Sequence, residues 1–376
     1  MSWEKVRLGD YLNVLSGFAF KSSLFTDDSS HTPIIRIRDI KRSYTETFYQ
    51  GDYNPNYLII KGDLVIGMDG EFNIAEWQGI PSLLNQRVCK ISSQDTHILN
   101  EKYLFYVLAK YLKEIEDRTS FVTVKHLSVK DINNIEIPLP PLPVQEKIAA
   151  ILDKADALRR KDQELLKKYD ELAHAIFIDM FGDPVRNEKG WEVKRFDFFV
   201  SFDTIMTSDF EKYAHVPHIG VGNIERDSGR LIDYKLVKDE NIKSGKYIFT
   251  SDHIIYSKIR PNLNKVALPT FEGLCSADSY PLLPTQNSNK YFFSYLLRSD
   301  HFLDFISSFS NRANIPKVNK EQLNKYFGIA PPLALQETFA KKIELINQLK
   351  AQTNAEKSEE LFQSLLQRAF KGELVR

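Results

Sequence analysis

The segment Pro140-Pro141-Leu142-Pro143-Val144-Gln145-Glu146 returns in the second half of the chain as Pro331-Pro332-Leu333-Ala334-Leu335-Gln336-Glu337. Adjacent prolines do not fit the interior of a helix or a strand, so each copy marks the end of a globular segment. Apolar residues at alternating spacings of three and four follow each copy, and this pattern predicts a long helix. The chain is therefore predicted to contain two repeats, each a globular segment followed by a helix.

The remainder of the chain repeats in the same order. Trp3-Glu4 returns as Trp191-Glu192, 188 residues later, which is half of the 376-residue length. Residues 33–40 correspond to residues 217–224, at the slightly smaller offset of 217 − 33 = 184 residues. Alternating apolar and polar residues between turn residues predict short strands in both globular segments. Duplication on this scale governs the whole architecture.

The apolar residues of the two helices form a predicted heptad seam. Two polar residues, Asp162 and Thr353, interrupt it at equivalent positions. Because both helices belong to one chain, they are expected to pair with each other in antiparallel directions. The alternative is that each helix packs only on its own globular segment. The seam residues are Val144, Ile148, Ile151, Ala155, Leu158, Leu165, Leu172, Leu335, Phe339, Ile346 and Leu349.

These patterns predict an α+β fold. Two pseudo-repeated globular domains are separated by a long antiparallel intramolecular two-helix coiled coil. The predicted segments are a first globular domain at 1–143, a central spacer helix at 144–182, a second globular domain at 183–334 and a distal spacer helix at 335–376.

Composition narrows the class of protein. The chain has 50 Lys and Arg against 50 Asp and Glu, and 43% of its residues are hydrophobic. That apolar fraction suffices for packed cores, and no stretch of about 18 uncharged apolar residues predicts a membrane span. Two isolated cysteines and a polar N-terminus indicate a cytoplasmic protein with reduced thiols. Because the net charge is zero, nucleic-acid binding would have to come from local basic clusters.

Signatures of bond-making chemistry are missing from the sequence. It contains no Walker phosphate loop and no Asn/Asp-Pro-Pro-aromatic motif of amino-methyltransferases. His215 and His218 have a spacing seen in metal sites, but no third ligand lies near them in sequence. No catalytic residue and no metal ligand is therefore assigned to this chain.

The two Pro-Pro-Leu-x-x-Gln-Glu boundaries are accompanied by Pro-Ile-Ile-Arg-Ile-Arg-Asp-Ile at residues 33–40. Further motifs in the two halves are Lys-Gly-Asp-Leu-Val-Ile at 61–66, Asn-Gln-Arg-Val at 85–88 and Cys-Ser-Ala-Asp-Ser-Tyr at 275–280. By these motifs the chain resembles the specificity (S) subunits of type I restriction-modification systems.

The resemblance implies a non-catalytic DNA-recognition subunit whose globular segments are target recognition domains. Each domain would read one half of an asymmetric bipartite target in double-stranded DNA, and the helices would set the spacer. The implied partners are two methyltransferase subunits, which dock on the helices, and two ATP-dependent restriction subunits. S-adenosylmethionine, ATP and Mg are then expected in the partners and no cofactor in this chain, and no membrane is involved.

DNA contacts are assigned by side-chain chemistry, because Arg and Lys reach guanine edges or phosphates and Asn and Gln reach adenine. Lys125 and Lys317 are treated as repeat equivalents, and Gly220 and Gly222 stand where the first repeat has arginines. The candidates in the first domain are Arg36, Arg38, Lys41, Arg42, Gln86, Arg87, Lys125 and His126; those in the second are Asn223, Arg226, Lys258, Arg260, Asn262, Lys265, Arg312, Asn314 and Lys317.

Two other functions are compatible with parts of the pattern. A coiled-coil scaffold whose globular domains bind protein partners would suit the balanced net charge. An enzyme that acts on DNA by itself would require the missing catalytic motifs, and the sequence disfavours it for that reason.

Overall fold

The computed structural model describes residues 3–118, 126–309 and 316–375. The chain forms two compact units. The first comprises Met1–Asp162 and Asn354–Arg376, and the second comprises Gln163–Thr353. The α+β class and the two repeated domains are confirmed.

The first unit contains an antiparallel sheet in the order β2-β10-β7-β8 and a five-stranded sheet in the order β3-β5-β4-β9-β6. In the second sheet, β4 and β9 are parallel. The elements in chain order are β1 (Lys5–Arg7), β2 (Leu12–Ser16), β3 (Phe25–Thr26), β4 (Thr32–Ile35), β5 (Phe48–Tyr49), β6 (Leu58–Ile59), β7 (Leu64–Gly67), β8 (Ile74–Glu76), β9 (Ser82–Leu84), β10 (Val88–Ser93), α1 (Glu101–Arg118), α2 (Val129–Asn133) and β11 (Glu136–Pro138). Helix α3 (Leu142–Phe181) follows, and the boundary between the units falls inside it.

The second unit repeats the four-stranded sheet in the order β13-β21-β18-β19, and its five-stranded sheet has the order β14-β17-β20-β15-β16. The edge strand of this second sheet differs between the units, because β14 pairs with β17 whereas β3 pairs with β5. Its strands are β12 (Glu192–Arg195), β13 (Val200–Phe202), β14 (Met206–Thr207), β15 (Pro217–Ile219), β16 (Lys235–Leu236), β17 (Lys246–Phe249), β18 (Ile254–Ser257), β19 (Val266–Ala267), β20 (Gly273–Cys275), β21 (Ser279–Pro284) and β22 (Phe327–Ala330). Its helices are α4 (Phe196–Phe199), α5 (Lys290–Arg298), α6 (Asp300–Ser307), α7 (Lys320–Leu323) and α8 (Leu333–Gln352); α9 (Ala355–Phe370) returns to the first unit.

Each globular domain is closed by a two-stranded clasp. In the first unit β1 pairs antiparallel with β11, and in the second β12 pairs antiparallel with β22. The repeated Trp-Glu start therefore lies at the first strand of each clasp, and the proline-rich boundary lies directly after the second. The first and last strands of each globular domain are therefore paired neighbours, and the helix that follows begins next to them.

The proline-rich boundary contains a buried glutamine that joins the helix to the domain. Gln145 is fully buried, and its Oε1 accepts the Asn100 amide at 2.9 Å. Its Nε2 donates to the carbonyls of Ile98 and Pro140, both at 2.8 Å. Buried polar groups are stable only when they are paired in this way. The glutamine thus holds the start of α3 against the loop that precedes α1.

Helix α3 packs on a different helix in each unit. In the first unit Arg159 Nη1 lies 3.2 Å from Glu359 Oε2 of α9. In the second unit Lys350 Nζ of α8 lies 2.5 Å from Asp170 Oδ1. Charged pairs at equivalent places therefore join α3 to α9 and to α8.

In the second unit the helix contacts run antiparallel, because Phe181, near the end of α3, contacts Phe339, near the start of α8. Phe177 contacts the same ring, with centroids 5.7 Å apart. The Lys350–Asp170 pair lies closer to the start of α3 and closer to the end of α8. The two helices therefore pass each other in opposite directions.

The predicted heptad seam is wrong at three positions of α3, whereas Ile148, Ala155, Phe339 and Ile346 are buried as predicted. Leu158, Leu165 and Leu172 are 47%, 38% and 47% exposed, whereas Leu152 and Ala173 are fully buried. Ile148 and Ala155 fit the predicted seam, and they also fit a seam that contains Leu152 in place of Leu158. Apolar residues flank both positions on either side, so the spacing of apolar residues does not decide which of the two seams is buried. The other predicted positions are buried at Phe339 and Ile346 and half-buried at Val144, Ile151, Leu335 and Leu349.

A charged residue occupies the inner position next to Leu158. Arg159 donates to Asp156 at 3.0 Å, pairs with Glu359, and lies 4.5 Å from the centroid of the Phe362 ring. These partners satisfy the guanidinium, so it lies inward and Leu158 faces outward.

The distal region at 335–376 is not one helix. Helix α8 ends at Gln352, Thr353 adopts an extended conformation, and α9 begins at Ala355. The compact units also differ from the four predicted segments, because each unit contains one globular domain together with parts of both helical regions.

Candidate nucleic-acid interface

Three backbone segments meet at one end of the antiparallel sheet in the first unit. The amide of Met68, just after β7, donates to the carbonyl of Arg87 at 2.9 Å, and the Leu127 amide donates to the Met68 carbonyl at 2.7 Å. Asp69 and His126 form a β-bridge beside these bonds. The first-unit junction, as we call it, consists of Asp69, Arg87 and His126.

One carboxylate in this junction holds two exposed basic side chains. Asp69 Oδ2 lies 3.1 Å from Arg87 Nη1, and Asp69 Oδ1 lies 2.6 Å from His126 Nδ1. The side chains of Arg87 and His126 are 67% and 65% exposed, but that of Asp69 is only 18% exposed. The carboxylate thus lies beneath the two basic groups. Gln86, the adjacent candidate, is exposed.

The basic segment after β4 packs against the same end of the sheet. A Cβ at Gly67, the last residue of β7, would lie 3.0 Å from Ile37 Cγ2, so this packing requires a small residue. Lys41 Nζ lies 3.1 Å from Glu71 Oε2, and this hydrogen bond lowers the pKa of Glu71. Glu71 stands two residues after Asp69. Two groups of candidates that are distant in sequence are therefore neighbours in the fold.

A buried carboxylate organises the arginines of this basic segment. Asp39 accepts hydrogen bonds from Arg42 Nη2 at 2.8 Å and from the Arg36 backbone amide at 2.9 Å. Arg38 Nε lies 3.8 Å from the same carboxylate. The guanidinium groups of Arg38 and Arg42 are exposed, whereas that of Arg36 lies 5.3 Å from the Phe25 ring centroid and is half-buried. Arg36 therefore has a packing role in addition to any contact with DNA.

The second unit repeats the backbone of the junction. The Lys258 amide donates to the Asp278 carbonyl at 3.0 Å, and the Val318 amide donates to the Lys258 carbonyl at 2.9 Å. Ile259 and Lys317 form the β-bridge. The second-unit junction is therefore Ile259, Asp278 and Lys317, in the places of Asp69, Arg87 and His126 respectively.

The equivalence assumed between Lys125 and Lys317 was wrong by one residue. The backbone bonds pair Lys317 with His126, because Val318 corresponds to Leu127. Repeats of unequal loop length do not keep a constant offset, so counting along the chain fails here.

The carboxylate of the junction changes place between the units. In the second unit it stands on residue 278, and Asp278 Oδ1 lies 3.1 Å from Lys317 Nζ. Lys317 is 57% exposed. Both junctions therefore present an exposed cation held by a carboxylate, but on different backbone segments and with different donor geometry.

Lys258 lies in a shallow groove beside the second-unit junction. Its Nζ is 5.0 Å from the Tyr280 ring centroid, and burial lowers its pKa. Lys320 was not predicted from the sequence. Its Nζ lies 5.9 Å from the centroid of the same Tyr280 ring and 5.3 Å from that of the Phe202 ring. Lys320 is the first residue of the short helix α7, and Asn319 is its N-cap. The capping residue is the local feature of the sequence that marks the start of this helix. Two lysines thus share one aromatic surface.

The loop between β18 and β19 carries three more candidates. Arg260 has φ of 47°, a conformation that few residues other than glycine adopt, and its amide donates to the Pro316 carbonyl at 2.8 Å. The side chains of Arg260 and Asn262 are exposed. Lys265 instead donates to the Val221 carbonyl at 2.8 Å, and burial lowers its pKa. Lys265 therefore joins two loops.

Asn223 and Arg226 make hydrogen bonds within their own loop. Asn223 Nδ2 donates to the carbonyls of Ile232 and Asp233 at 3.1 and 3.0 Å, and its Oδ1 accepts the Gly220 amide. Arg226 Nε pairs with Asp227 at 3.0 Å, and both side chains are exposed. Asn223 is thus committed to holding the loop, whereas Arg226 remains accessible.

Three candidates, Lys125, Arg312 and Asn314, lie outside the described residues. For the whole candidate set, contact with DNA stays a prediction.

Within residues 3–118, 126–309 and 316–375, none of the helices combines the length and the apolar character that crossing a bilayer requires.

Comparison with known families assigns the class. The model of the type I restriction modification DNA specificity domain matches residues 1–168 and 188–363, once in each repeat. These matches cover more than half of the chain. The chain belongs to the family of type I restriction-modification DNA specificity domains, and this membership does not favour the alternative of a protein-binding scaffold.

Individual relatives carry the same description. The chain is 43% identical over 184 residues to the type I restriction enzyme EcoBI specificity subunit of Escherichia coli, a match that covers 47% of this chain and 39% of that protein. It is 24% identical over 318 residues to the EcoDI specificity subunit of the same organism, covering 74% of this chain and 71% of that protein. The first match thus spans less than half of its relative.

A solved structure supports the fold. The crystal structure of the type I restriction-modification S subunit from M. genitalium matches with a TM-score of 0.57 and 16% identity, over 98% of this chain and 96% of that chain.

Proposed function

We propose that this chain is the non-catalytic DNA sequence-recognition subunit of a type I restriction-modification complex. The observation that carries the proposal is that the two units share the order of the four-stranded sheet and the backbone of the junction, while their exposed basic side chains differ. Domains that place different side chains on the same backbone are suited to reading different base sequences. Each domain therefore reads one half of an asymmetric bipartite target.

The helices set the distance between the two half-sites. Helix α3 has 40 residues, which corresponds to about 60 Å at about 1.5 Å per residue. The pairs Arg159–Glu359 and Lys350–Asp170 join it to α9 and α8 within the respective units. In this proposal the three helices form one long antiparallel intramolecular coiled coil, and its length determines the number of unread base pairs.

The exposed leucines of α3 form a docking surface for methyltransferase subunits. Leu158, Leu165 and Leu172 recur every seventh residue and are exposed to between 38% and 47%. Residues spaced by seven lie along one side of a helix, and a row of exposed leucines is typical of an interaction surface. Two methyltransferase subunits and two ATP-dependent restriction subunits complete the cytoplasmic complex. They supply the sites for S-adenosylmethionine, ATP and Mg, and this chain binds no cofactor.

Co-expression with the methyltransferase subunit encoded beside it, followed by genome-wide mapping of N6-methyladenine, tests the proposal. The expected result is a two-part methylated motif with a fixed gap, absent when this chain is omitted. A stable complex that methylates DNA without a motif would overturn the recognition function.

A further inference from the structure

The two junctions occupy the same backbone position in units with different side chains. In the first unit the backbone of Met68, just after β7, bonds to that of Arg87, just before β10, and to that of Leu127. In the second unit the backbone of Lys258, just after β18, bonds in the same way to Asp278, just before β21, and to Val318. A position with a repeated backbone and exchanged side chains is where two recognition domains can differ without a change of fold. In contrast, Gln145 and Gln336 are identical and buried in both units.

The chemistry of the first-unit junction fits base recognition. Arg87 uses Nη1 to reach Asp69, and Asp69 is the carboxylate within reach of this guanidinium among the described residues. The remaining N–H groups of the fork suffice for two parallel hydrogen bonds, and guanine O6 and N7 accept such a pair in the major groove. An arginine already held by a carboxylate loses less conformational freedom on binding than a free one.

A carboxylate beside the cation argues against a simple phosphate contact. Asp69 places a negative charge 3.1 Å from the Arg87 guanidinium. This charge would repel a phosphate, which carries a full negative charge, more strongly than the guanine edge, where O6 and N7 carry only partial negative charges. In the second unit Asp278 has the same relation to Lys317, at 3.1 Å.

We propose that Arg87, positioned by Asp69, reads a guanine in one half-site, and that Lys317, positioned by Asp278, reads a guanine in the other. This inference rests on the proposed function and adds the specificity-determining residues to it. His126 Nδ1 lies 2.6 Å from Oδ1, the other oxygen of the same Asp69 carboxylate. In each half-site one base position is thus contacted by one basic side chain that a carboxylate holds in place.

The test uses the complete methyltransferase complex and the motif that the wild-type complex methylates. Arg87→Ala is expected to relax one base position in one half-site. Binding to a cognate duplex should fall about 5- to 150-fold, while binding to a duplex with that position changed should be nearly unaffected. The slope of log K against log[salt] should stay the same.

Three further variants separate base reading from the effects of charge and of folding. Arg87→Lys keeps the charge and can still donate to guanine O6 or N7, but it lacks the planar fork, so its preference at that base position should fall between those of the wild type and Arg87→Ala. Asp69→Asn should relax that position as well, with a smaller fall of about 3- to 10-fold, because the guanidinium remains but is no longer held by a charge. Arg195→Ala, which breaks an exposed Arg195–Asp197 pair elsewhere, is the matched control and should leave the motif unchanged.

The second half-site gives an independent comparison. Lys317→Ala and Asp278→Asn should relax one base position of the other half-site and leave the first half-site intact. A loss of binding that is uniform across sequences, with a salt slope reduced by about 0.9, would assign Arg87 or Lys317 to a phosphate and overturn the inference. An unchanged motif in Arg87→Ala would also overturn it. If the wild-type complex shows no motif, the proposed function itself fails, so the two failures are distinguishable.

Discussion

Gln145 and Gln336 make the same three kinds of hydrogen bond at equivalent places in the two units. Gln336 Oε1 accepts the Asn289 amide at 2.9 Å, and its Nε2 donates to the carbonyls of Pro331 and Asn287 at 2.8 and 3.3 Å. Both side chains are fully buried. The glutamine of the repeated boundary is thus the group that joins each globular domain to its helix.

Replacing Gln145 or Gln336 by leucine keeps the side-chain volume but leaves the three backbone partners unpaired. We expect a loss of at least about 2 kcal/mol in the free energy of unfolding, because buried polar groups without partners are costly. Urea denaturation followed by circular dichroism measures it. Gln348→Leu, at an exposed position of α8, is the control and should change stability by less than about 0.5 kcal/mol. Equal effects of the buried and exposed changes would contradict the structural role.

The phase of the helix seam can be measured with two leucines of α3. Leu152→Ala removes a fully buried side chain and is expected to destabilise the protein by about 2–5 kcal/mol. Leu158→Ala changes a side chain that is 47% exposed and should cost less than about 0.5 kcal/mol. Thermal or urea denaturation of both variants decides between the observed seam and the alternative one, for which the order of the two effects would be reversed.

The exposed leucines should matter for assembly and not for folding. Changing Leu158, Leu165 and Leu172 together to glutamate is expected to leave the circular dichroism spectrum unchanged and to abolish co-purification of the methyltransferase subunit. Charged side chains on a buried apolar interface carry a large desolvation cost. Glutamate at Lys161, Lys168 and Gln163, which are exposed on the same helix, provides the control. Retained co-purification of the leucine variant would place the docking surface elsewhere.

The length of the helices should determine the spacing of the target. We expect one heptad inserted after Leu158, with a matching heptad between α8 and α9, to add about 10 Å and so about 3 unread base pairs. Both half-sites should be retained, because neither domain is altered. Methylation mapping of the variant complex gives the new gap, and an unchanged gap would rule out the ruler.

Gly229 is required at a close approach in the second unit. A Cβ there would lie 1.8 Å from the Val266 carbonyl oxygen and 2.2 Å from Arg298 Nη2, and φ is +67°. We expect Gly229→Ala to cost about 1–3 kcal/mol beyond the backbone penalty. Gly190 has nearly the same φ, +68°, with nothing within 4 Å of the added carbon. Gly190→Ala therefore isolates the backbone term, and equal melting temperatures of the two variants would exclude steric strain.

The duplication was predictable because the matching motifs occur in the same order in both halves of the sequence. Two prolines followed by a heptad pattern have one physical interpretation wherever they occur. The exposure of Leu158 was not predictable, because residues on both flanks of Ile148 and Ala155 are apolar and the choice of side depends on the partners that Arg159 has on α9.

The candidate site shows the same division. Exposed basic residues could be selected from composition, and Arg87 and Lys317 are among them. Their carboxylate partners could not, because Asp69 and Asp278 reach them only through strand pairing. Lys320 was missed for a similar reason: its aromatic neighbours, Phe202 and Tyr280, lie far from it in sequence.

The clasps of the globular domains have a consequence for how specificity can evolve. Since β1 pairs with β11, and β12 with β22, the chain enters and leaves each domain at adjacent points. A recombination event that exchanges everything between the two strands of one clasp substitutes an entire recognition surface while both attachment points stay where they were. With the function proposed above, new target sequences are thus accessible by genetic exchange in a single step, because the helices themselves are left unchanged.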